Sequence, residues 1–533
     1  MGIKKQTFFK GVLIIMLAQV LIKILGFVYR IVLTNVEGFS DLGNSFYGSG
    51  YSVYAFILAI ATMGIPNTIS KLVSEKFAIG DKAGAHRIFK TAMLLFTFIG
   101  VIFSLGLFFC AEYISTSILN NPGVKYTLMA LSPAIIFVAM TSVMRGYFVG
   151  QSNMSEHSKA QVIEQFINSV FSVVFVVMLI GKSPEIMAAG STLATALATA
   201  TAFFYLLNYY NKNKKYIWED IRNSKQYAIE SKKKIVKNLL KYVVPISFGS
   251  VIVTLSSLID TITVVDCLQK FGYTLEKANI VYGILVGKVE ILNSLPLAIN
   301  IAFSVALVPF VSSAIARNNK KEAIDKINYS VKLSSMIALP SAVGLSMLAP
   351  YIFNFLFPMA NTGAELLRIQ AFMVVFSVIA QTLYGALQGL GKLYIPGMCL
   401  AIGIVIKYLL NIIFIPIYGE IVAPISSVIY QIIACSLAFI MVYKYLKQKP
   451  NLIKLFLPTI LATLLMAASI VICTYLLPKI IVSNTILTVT TIIVAIITYV
   501  VGIFMYKGLN KEEILELPMG EKMYNVIKKI KLI

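Results

Sequence analysis

The hydrophobic positions of this chain occur in long runs, each wide enough to cross the roughly 30 Å of hydrocarbon in a bilayer. The pattern predicts an all-α integral membrane protein of about fourteen transmembrane helices. The eighth run contains Pro296 and Pro309, so we expect that helix to be bent. The fourteen runs cover residues 8–34, 46–74, 88–111, 126–149, 157–180, 186–210, 240–265, 281–314, 325–349, 364–389, 395–417, 421–446, 453–477 and 480–506.

Composition agrees with this pattern, because 58% of the 533 residues are hydrophobic and only 13% are charged. A soluble domain is nearer half apolar and a quarter charged. The first run continues past Arg30 to Thr34 without the cleavage site of a secretory signal, so we expect a retained helix. The five cysteines are scattered and form no Cys-x-x-Cys pair. We therefore predict no metal site, no cofactor and no disulfide framework.

The net charge of +23 is distributed with a clear asymmetry. With the N-terminus inside, 35 Lys and Arg residues fall on inner segments and 5 on outer segments. This bias predicts a multi-pass plasma-membrane protein with both termini in the cytoplasm, and it explains the charge without nucleic acid as a partner. The longest polar stretch, 211–239, is predicted to be a solvated cytoplasmic linker. No loop is long enough to form a catalytic domain, which argues against an enzyme.

The two sides of that linker resemble each other. The motif offsets are 239, 243 and 243 residues, a consistent internal period. We predict an N-terminal six-helix lobe with its linker (1–236), a second six-helix lobe (237–450), and helices 13 and 14 with a cytoplasmic tail (451–533). Six spans per repeat give both lobes the same orientation, related by a pseudo-two-fold axis with a cavity between them. The matched positions are RGYFVGQ from Arg145 with YGALQGL from Tyr384, Pro66 with Pro309, and Asn168 with Asn411.

Ionisable residues within spans are the first candidates for function. Lys23 lies near the middle of span 1, and helical spacing puts Gln19, Lys23, Gly26 and Arg30 on one face. Two other roles are considered: Lys23 pairing with a neighbouring carboxylate, and Arg30 reaching the outer headgroups. The excess of cations over acids in the spans favours an anionic substrate over a cationic drug.

Span 8 contributes Lys288, Glu290 and Asn293. Lys288 is about 200° from Glu290 on an ideal helix, so both reach one cavity only if the helix is distorted. Structural or lipid-facing roles are the alternative. Lys407 in span 11 is four residues from Asn411, and a functional role and a helix–helix contact are weighed equally.

Arg145 in span 4 and Glu164 in span 5 lie at similar depths near the inner face. We expect this pair to form a structural ion pair rather than to bind substrate.

Three runs resemble the polysaccharide-biosynthesis transporter family, in its MurJ/SpoVB branch of Gram-positive bacteria. They are LGFVYR from Leu25, MGIPNTISKLVSEK from Met63 and YGALQGLG from Tyr384. The resemblance implies a bacterial protein with a MATE-like fold of two six-helix lobes and a terminal helix pair. It also implies a flippase that moves lipid-linked peptidoglycan precursor (lipid II) to the outer leaflet by alternating access.

In that family, basic residues of helices 1 and 8 face the cavity, which by position implies Lys23, Arg30 and Lys288. The helix pair 453–506 would border a groove for the polyprenyl tail. The chain departs from the family at Ile31, where many members have Asp. Span 11 contains Lys407 and no carboxylate, which argues against a sodium site there.

The expected partners are a lipid-linked anionic glycan, membrane lipids and proteins of cell-wall synthesis. A flippase for another lipid-linked oligosaccharide, such as a capsule, teichoic or sporulation-specific unit, is the main alternative. A multidrug antiporter is disfavoured by the scarcity of intramembrane acids. A non-transporting scaffold is disfavoured by the charged residues within the spans.

Overall fold

The computed structural model describes residues 8–224, 227–448, 450–480 and 483–515. These residues form helices and connections without a β-strand, which confirms the predicted all-α class. Eleven helical segments in the described part are long and apolar enough to cross a membrane, and one of them, Ile395–Leu446, covers two predicted spans. The count of fourteen stays a prediction.

The described residues pack as two compact units. The first contains the described residues up to Gly287, together with Asn411–Gly419. Its helices are α1 (Phe8–Thr34), α2 (Ser40–Ala59), α3 (Ile65–Ala78), α4 (Lys82–Tyr113), α5 (Lys125–Gly150), α6 (Met154–Met178), α7 (Pro184–Arg222), α8 (Lys232–Phe271) and α9 (Leu275–Ile284).

The second unit contains Lys288–Leu410 and the described residues from Glu420 onward. Residues from Asn411 to the end of α15 therefore count with the first unit. The helices that begin in the second unit are α10 (Glu290–Ala316), α11 (Lys320–Met347), α12 (Ala349–Leu356), α13 (Ala364–Gln370), α14 (Met373–Gly389), α15 (Ile395–Tyr418), α16 (Val422–Leu446), α17 (Leu452–Leu476), α18 (Asn484–Met505) and α19 (Lys511–Leu515).

Helix α4 illustrates how the sequence sets both the start of a helix and its outward face. Asp81 accepts a hydrogen bond from the Gly84 amide at 2.7 Å and so caps the start of α4. Farther along, α4 exposes Leu94, Phe98 and Phe109 by 70%, 64% and 76%. Such a surface is suited to lipid, in which a helix can lie because its backbone satisfies its own hydrogen bonds.

Two of the long predicted spans are interrupted by π turns. Residues Ile60–Gly64 join α2 to α3, and Leu285–Val289 join α9 to α10. A π turn adds a residue to the helical repeat and rotates the side chains that follow it. The sequence predicts distortion of the eighth span at its prolines, whereas this turn lies before Pro296. It changes the direction of Lys288 relative to Glu290.

Helices α2 and α9 approach each other closely. A Cβ at Gly283 would lie 1.8 Å from the Asp41 carbonyl oxygen, so only glycine fits there. Beside this contact, the buried Asn279 side-chain oxygen accepts hydrogen bonds from Ser45 and Asn121, each at 2.6 Å. These fully paired polar groups hold α9 against α2 within the first unit.

The segment 211–239, expected to be a solvated linker, is mostly helical. Helix α7 continues to Arg222 and α8 begins at Lys232. Between them, Glu230 forms an ion pair with Lys76 at 2.9 Å, and the Tyr227 hydroxyl donates to the Ile79 carbonyl at 2.5 Å. Burial lowers the pKa of Lys76, but its hydrogen bonds to Glu230 and Asp81 outweigh this and raise the pKa overall. The connection is therefore docked on the end of α3 and the turn that follows it.

The part of α7 beyond the membrane run packs on α4 through aromatic rings. Trp218 lies edge-on to the buried His86 ring, with 5.4 Å between centroids. Tyr210 also stacks on His86, with 6.3 Å between ring centres, and the Lys90 ammonium lies 4.9 Å from the Trp218 ring centre. This contact extends the first unit beyond the apolar part of α7.

Candidate functional site

Helix α1 presents a polar face whose members have different surroundings. Gln19 donates to Gln161 of α6 at 3.1 Å, and a Cβ at Gly26 would make an ordinary contact with Gln165 of α6 at 3.6 Å. Lys23 is exposed, and among the described residues it has neither an ion pair nor a hydrogen bond. The carboxylate partner that the sequence left as an alternative for Lys23 is thus not found in the described part of the chain.

Arg30 lies against α2. Its guanidinium carbon is 4.1 Å from the centre of the Tyr47 ring, a cation–π contact. The Tyr47 hydroxyl is 3.2 Å from that of Tyr29. The Arg30 Nη1 atom is buried and has no hydrogen-bond partner among the described residues. Arg30 therefore keeps donor capacity that an anion would satisfy.

Arg145 and Glu164 are brought together, as the sequence predicts. The Arg145 Nη2 atom donates to Glu164 Oε2 at 2.5 Å, with the two side chains 12% and 28% exposed. This pair joins α5 to α6 and neutralises both charges. Lys23 and Arg30, by contrast, form no ion pair with another described residue.

Lys288 has a different environment from the two cations of α1. Its side chain is fully buried, and its ammonium donates to the carbonyls of Ala360 at 2.5 Å and Thr362 at 3.2 Å. The rings of Phe353 and Phe357 lie 5.3 and 5.8 Å away. Lys288 thus fixes the segment between α12 and α13, and its hydrogen-bonding groups are occupied within the protein.

We expect Lys288→Met to lower the thermal stability of the purified protein. The substitution keeps the side-chain length but leaves two carbonyls without their donor, at a cost of roughly 1–3 kcal/mol. The control is Lys277→Met, since Lys277 is exposed at the start of α9. Loss of transport by Lys288→Met at unchanged melting temperature would instead assign Lys288 to the substrate.

The remaining candidates of the second unit do not form one cluster with Lys288. Glu290 is exposed, whereas Asn293 is buried and donates to the Gln370 carbonyl at 3.3 Å. Lys407 is 3% exposed, and its ammonium is 5.6 Å from the Tyr430 ring centre. Asn293 and Lys407 therefore both contribute contacts between helices.

A polar cluster that the sequence analysis did not assemble lies where α15 contacts α8. Asn411 is fully buried, and its amide donates to Asp260 at 3.2 Å and to Thr263 at 2.9 Å. The sequence singles out Asn411, because it is one of the matched repeat positions. It does not predict that Asp260 joins Asn411, because the two residues are about 150 positions apart in the chain.

Comparison with known proteins agrees with these features. A family model described as "Polysaccharide biosynthesis protein" matches residues 8–315, more than half of the chain, and one described as "Lipid II flippase MurJ" matches residues 289–490.

Two relatives are from Bacillus subtilis (strain 168). "Lipid II flippase MurJ" is 26% identical, with 82% of each chain covered. "Stage V sporulation protein B" is 29% identical, with 66% of this chain and 65% of that protein covered. A solved structure, "Lipid II flippase MurJ, inward closed conformation", aligns with a TM-score of 0.66 at 18% identity, over 92% of this chain and 98% of that one. The chain belongs to the polysaccharide biosynthesis protein family and is of the MurJ/SpoVB type, which confirms the resemblance seen in its three motifs.

Proposed function

We propose that this protein is a flippase that moves a polyprenyl-pyrophosphate-linked peptidoglycan precursor, lipid II, from the inner to the outer leaflet. The observation that carries the proposal is the exposed Lys23 in the middle of an apolar helix, without a partner among the described residues. A lysine at this depth costs about 2.5–3.5 kcal/mol or more if it faces lipid. It is therefore expected to face water or an anion.

The chemistry of the substrate fits these groups. A pyrophosphate cannot cross hydrocarbon bare, because burial of an unpaired charge is prohibitive. Lys23 supplies a mobile ammonium, and Arg30 supplies a guanidinium with an unused donor. Together they replace water around the phosphates while the polyprenyl chain stays in the bilayer.

Orientation and organisation follow from the sequence. The 35-to-5 distribution of basic residues supports a cytoplasmic location for both termini. The internal repeat supports lobes that end near residues 236 and 450. Asn279 and Gly283, which hold α9 to α2, belong to the second repeat, so we propose that the α2–α9 contact changes during alternating access.

The main alternative is a flippase for another lipid-linked oligosaccharide. The similarity to a stage V sporulation protein supports this alternative. The glycan itself is recognised by groups other than Lys23 and Arg30, because these two bind phosphate in either case.

The test is complementation of bacteria depleted of their own lipid II flippase. We expect this gene to restore growth and the appearance of lipid II on the outer leaflet, measured with an externally added enzyme that cleaves it. The control is an equal amount of the protein with Lys23→Ala and Arg30→Ala combined. Normal membrane levels without outward lipid II would contradict the proposal and favour another glycan.

A further inference from the structure

Three tyrosines form a ladder along one face of α2. Tyr47 and Tyr51 are stacked, with ring centres 5.8 Å apart and planes 12° from parallel. Tyr51 and Tyr54 follow at 5.6 Å and 51°. The spacing of four and three residues brings consecutive rings into contact on a helix. This arrangement fixes the middle ring between two others.

Exposure separates the middle ring from its neighbours. Tyr47 and Tyr54 are only 2% and 3% exposed, whereas Tyr51 is 42% exposed. Tyr51 is therefore a rigid aromatic surface that the described residues leave partly uncovered. Ordering it for a ligand costs little conformational entropy, because its neighbours already hold it.

A cation lies next to this ladder of rings. The Arg30 guanidinium rests on Tyr47, the ring that stacks on Tyr51. An aromatic residue that merely anchors the protein at a membrane interface has lipid beside it. A guanidinium beside the ring stack is instead suited to a hydrated, anionic ligand.

The chemistry of a sugar fits such a surface. One face of a pyranose ring presents several C–H groups with a small positive charge, and the face of an aromatic ring is negative. The sugar's hydroxyl groups point outward from its edge, where water or polar side chains satisfy their hydrogen bonds. A guanidinium within about 10 Å of the Tyr51 ring centre, as the two contacts through Tyr47 require, can hold a phosphate attached to that sugar.

We propose that the exposed face of Tyr51 is a platform on which a sugar ring of the lipid-linked substrate stacks, while Arg30 holds the adjacent phosphate. This inference rests on the proposed function and names residues that recognise the glycan part of the substrate. It assigns phosphate recognition and sugar recognition to different side chains of the first unit.

The test compares two lipids that differ only in their sugar. Binding of lipid II and of sugar-free undecaprenyl pyrophosphate is measured on purified protein in nanodiscs. Tyr51→Leu removes the aromatic face but keeps apolar bulk, and Tyr51→Phe keeps the face. We expect Tyr51→Leu to weaken lipid II binding about fivefold to tenfold, the range of an aromatic contact, and to change undecaprenyl pyrophosphate binding less than twofold. Tyr51→Phe should bind both lipids within twofold of the original protein.

Controls separate the possible failures. Tyr126→Leu removes an exposed tyrosine of α5 outside the ladder and should leave both affinities unchanged. Should Tyr51→Leu fail to fold, Tyr51→Gln makes the same comparison with a polar side chain. Equal affinity of Tyr51→Leu and the original protein for lipid II, or equal weakening for both lipids, overturns the platform. If the original protein binds neither lipid, the proposed function itself is wrong.

Discussion

Replacing Lys23 by alanine should abolish outward movement of lipid II, while the amount of folded protein in the membrane stays near normal. Lys23 is exposed and makes no ion pair or hydrogen bond with the described residues, so its removal breaks no contact found in the fold. Removing one partner of a desolvated charge pair costs about 2–5 kcal/mol, or roughly thirtyfold to several thousandfold. Flipping in reconstituted vesicles measures this loss, and an immunoblot of membranes measures the protein.

Two variants make this result interpretable. Lys23→Arg keeps the charge with a different shape and should retain part of the activity. Lys182→Ala removes an exposed lysine after α6 and should change nothing. Normal flipping by Lys23→Ala would refute the site. Disappearance of that protein from the membrane would make Lys23 a structural residue.

Collapsing the membrane potential should stop flipping, whereas removing sodium should not. A potential of 100 mV, negative inside, is worth about 2.3 kcal/mol for each charge that crosses it. A headgroup with two negative charges therefore gains roughly 4–5 kcal/mol on moving outward, more than a thousandfold in equilibrium. Lipid II flipping is measured in vesicles with an imposed potassium gradient. Valinomycin generates the potential in one sample and is omitted from the other, which has no potential.

Variants of acidic residues within the spans test whether an ion drives transport. Glu290→Gln should keep substantial activity, because Glu290 is exposed and lies apart from Lys23 and Arg30 in the chain. Asp260→Asn tests a second acid, whose oxygen accepts a hydrogen bond from Asn411. Transport that survives loss of the potential but fails without sodium would overturn the mechanism. In that case the oxygens of Asp260, Thr263 and Asn411 are the first candidates for the ion.

The sequence predicted the helices well because their lengths are set by lipid. A run of apolar residues needs no knowledge of its neighbours to become a spanning helix. The motifs likewise identified the family. The ion pair between Arg145 and Glu164 could be predicted because the two residues lie in consecutive spans at matching depth. In the structure they are 2.5 Å apart.

Features that depend on contacts between residues far apart in the chain could not be predicted from the sequence. Lys288 resembles a cavity lysine in sequence, yet the π turn that contains it directs its ammonium to carbonyls more than 70 residues away. The 211–239 segment resembles a solvated linker because it is rich in lysine. Its docking depends on single residues, Tyr227 and Glu230, whose partners are Ile79 just after α3 and Lys76 in the last turn of α3.

The packing of α7 on α4 gives the molecule an optical reporter of its own. Trp218 is the one tryptophan of the chain, so tryptophan emission from the purified protein comes from a single known place. Its indole ring lies beside His86 and Lys90 of α4 and is 38% exposed. The intensity and colour of that emission therefore report whether this end of α7 is docked. Undocking of this end of α7 can be followed on the native protein, with no label introduced.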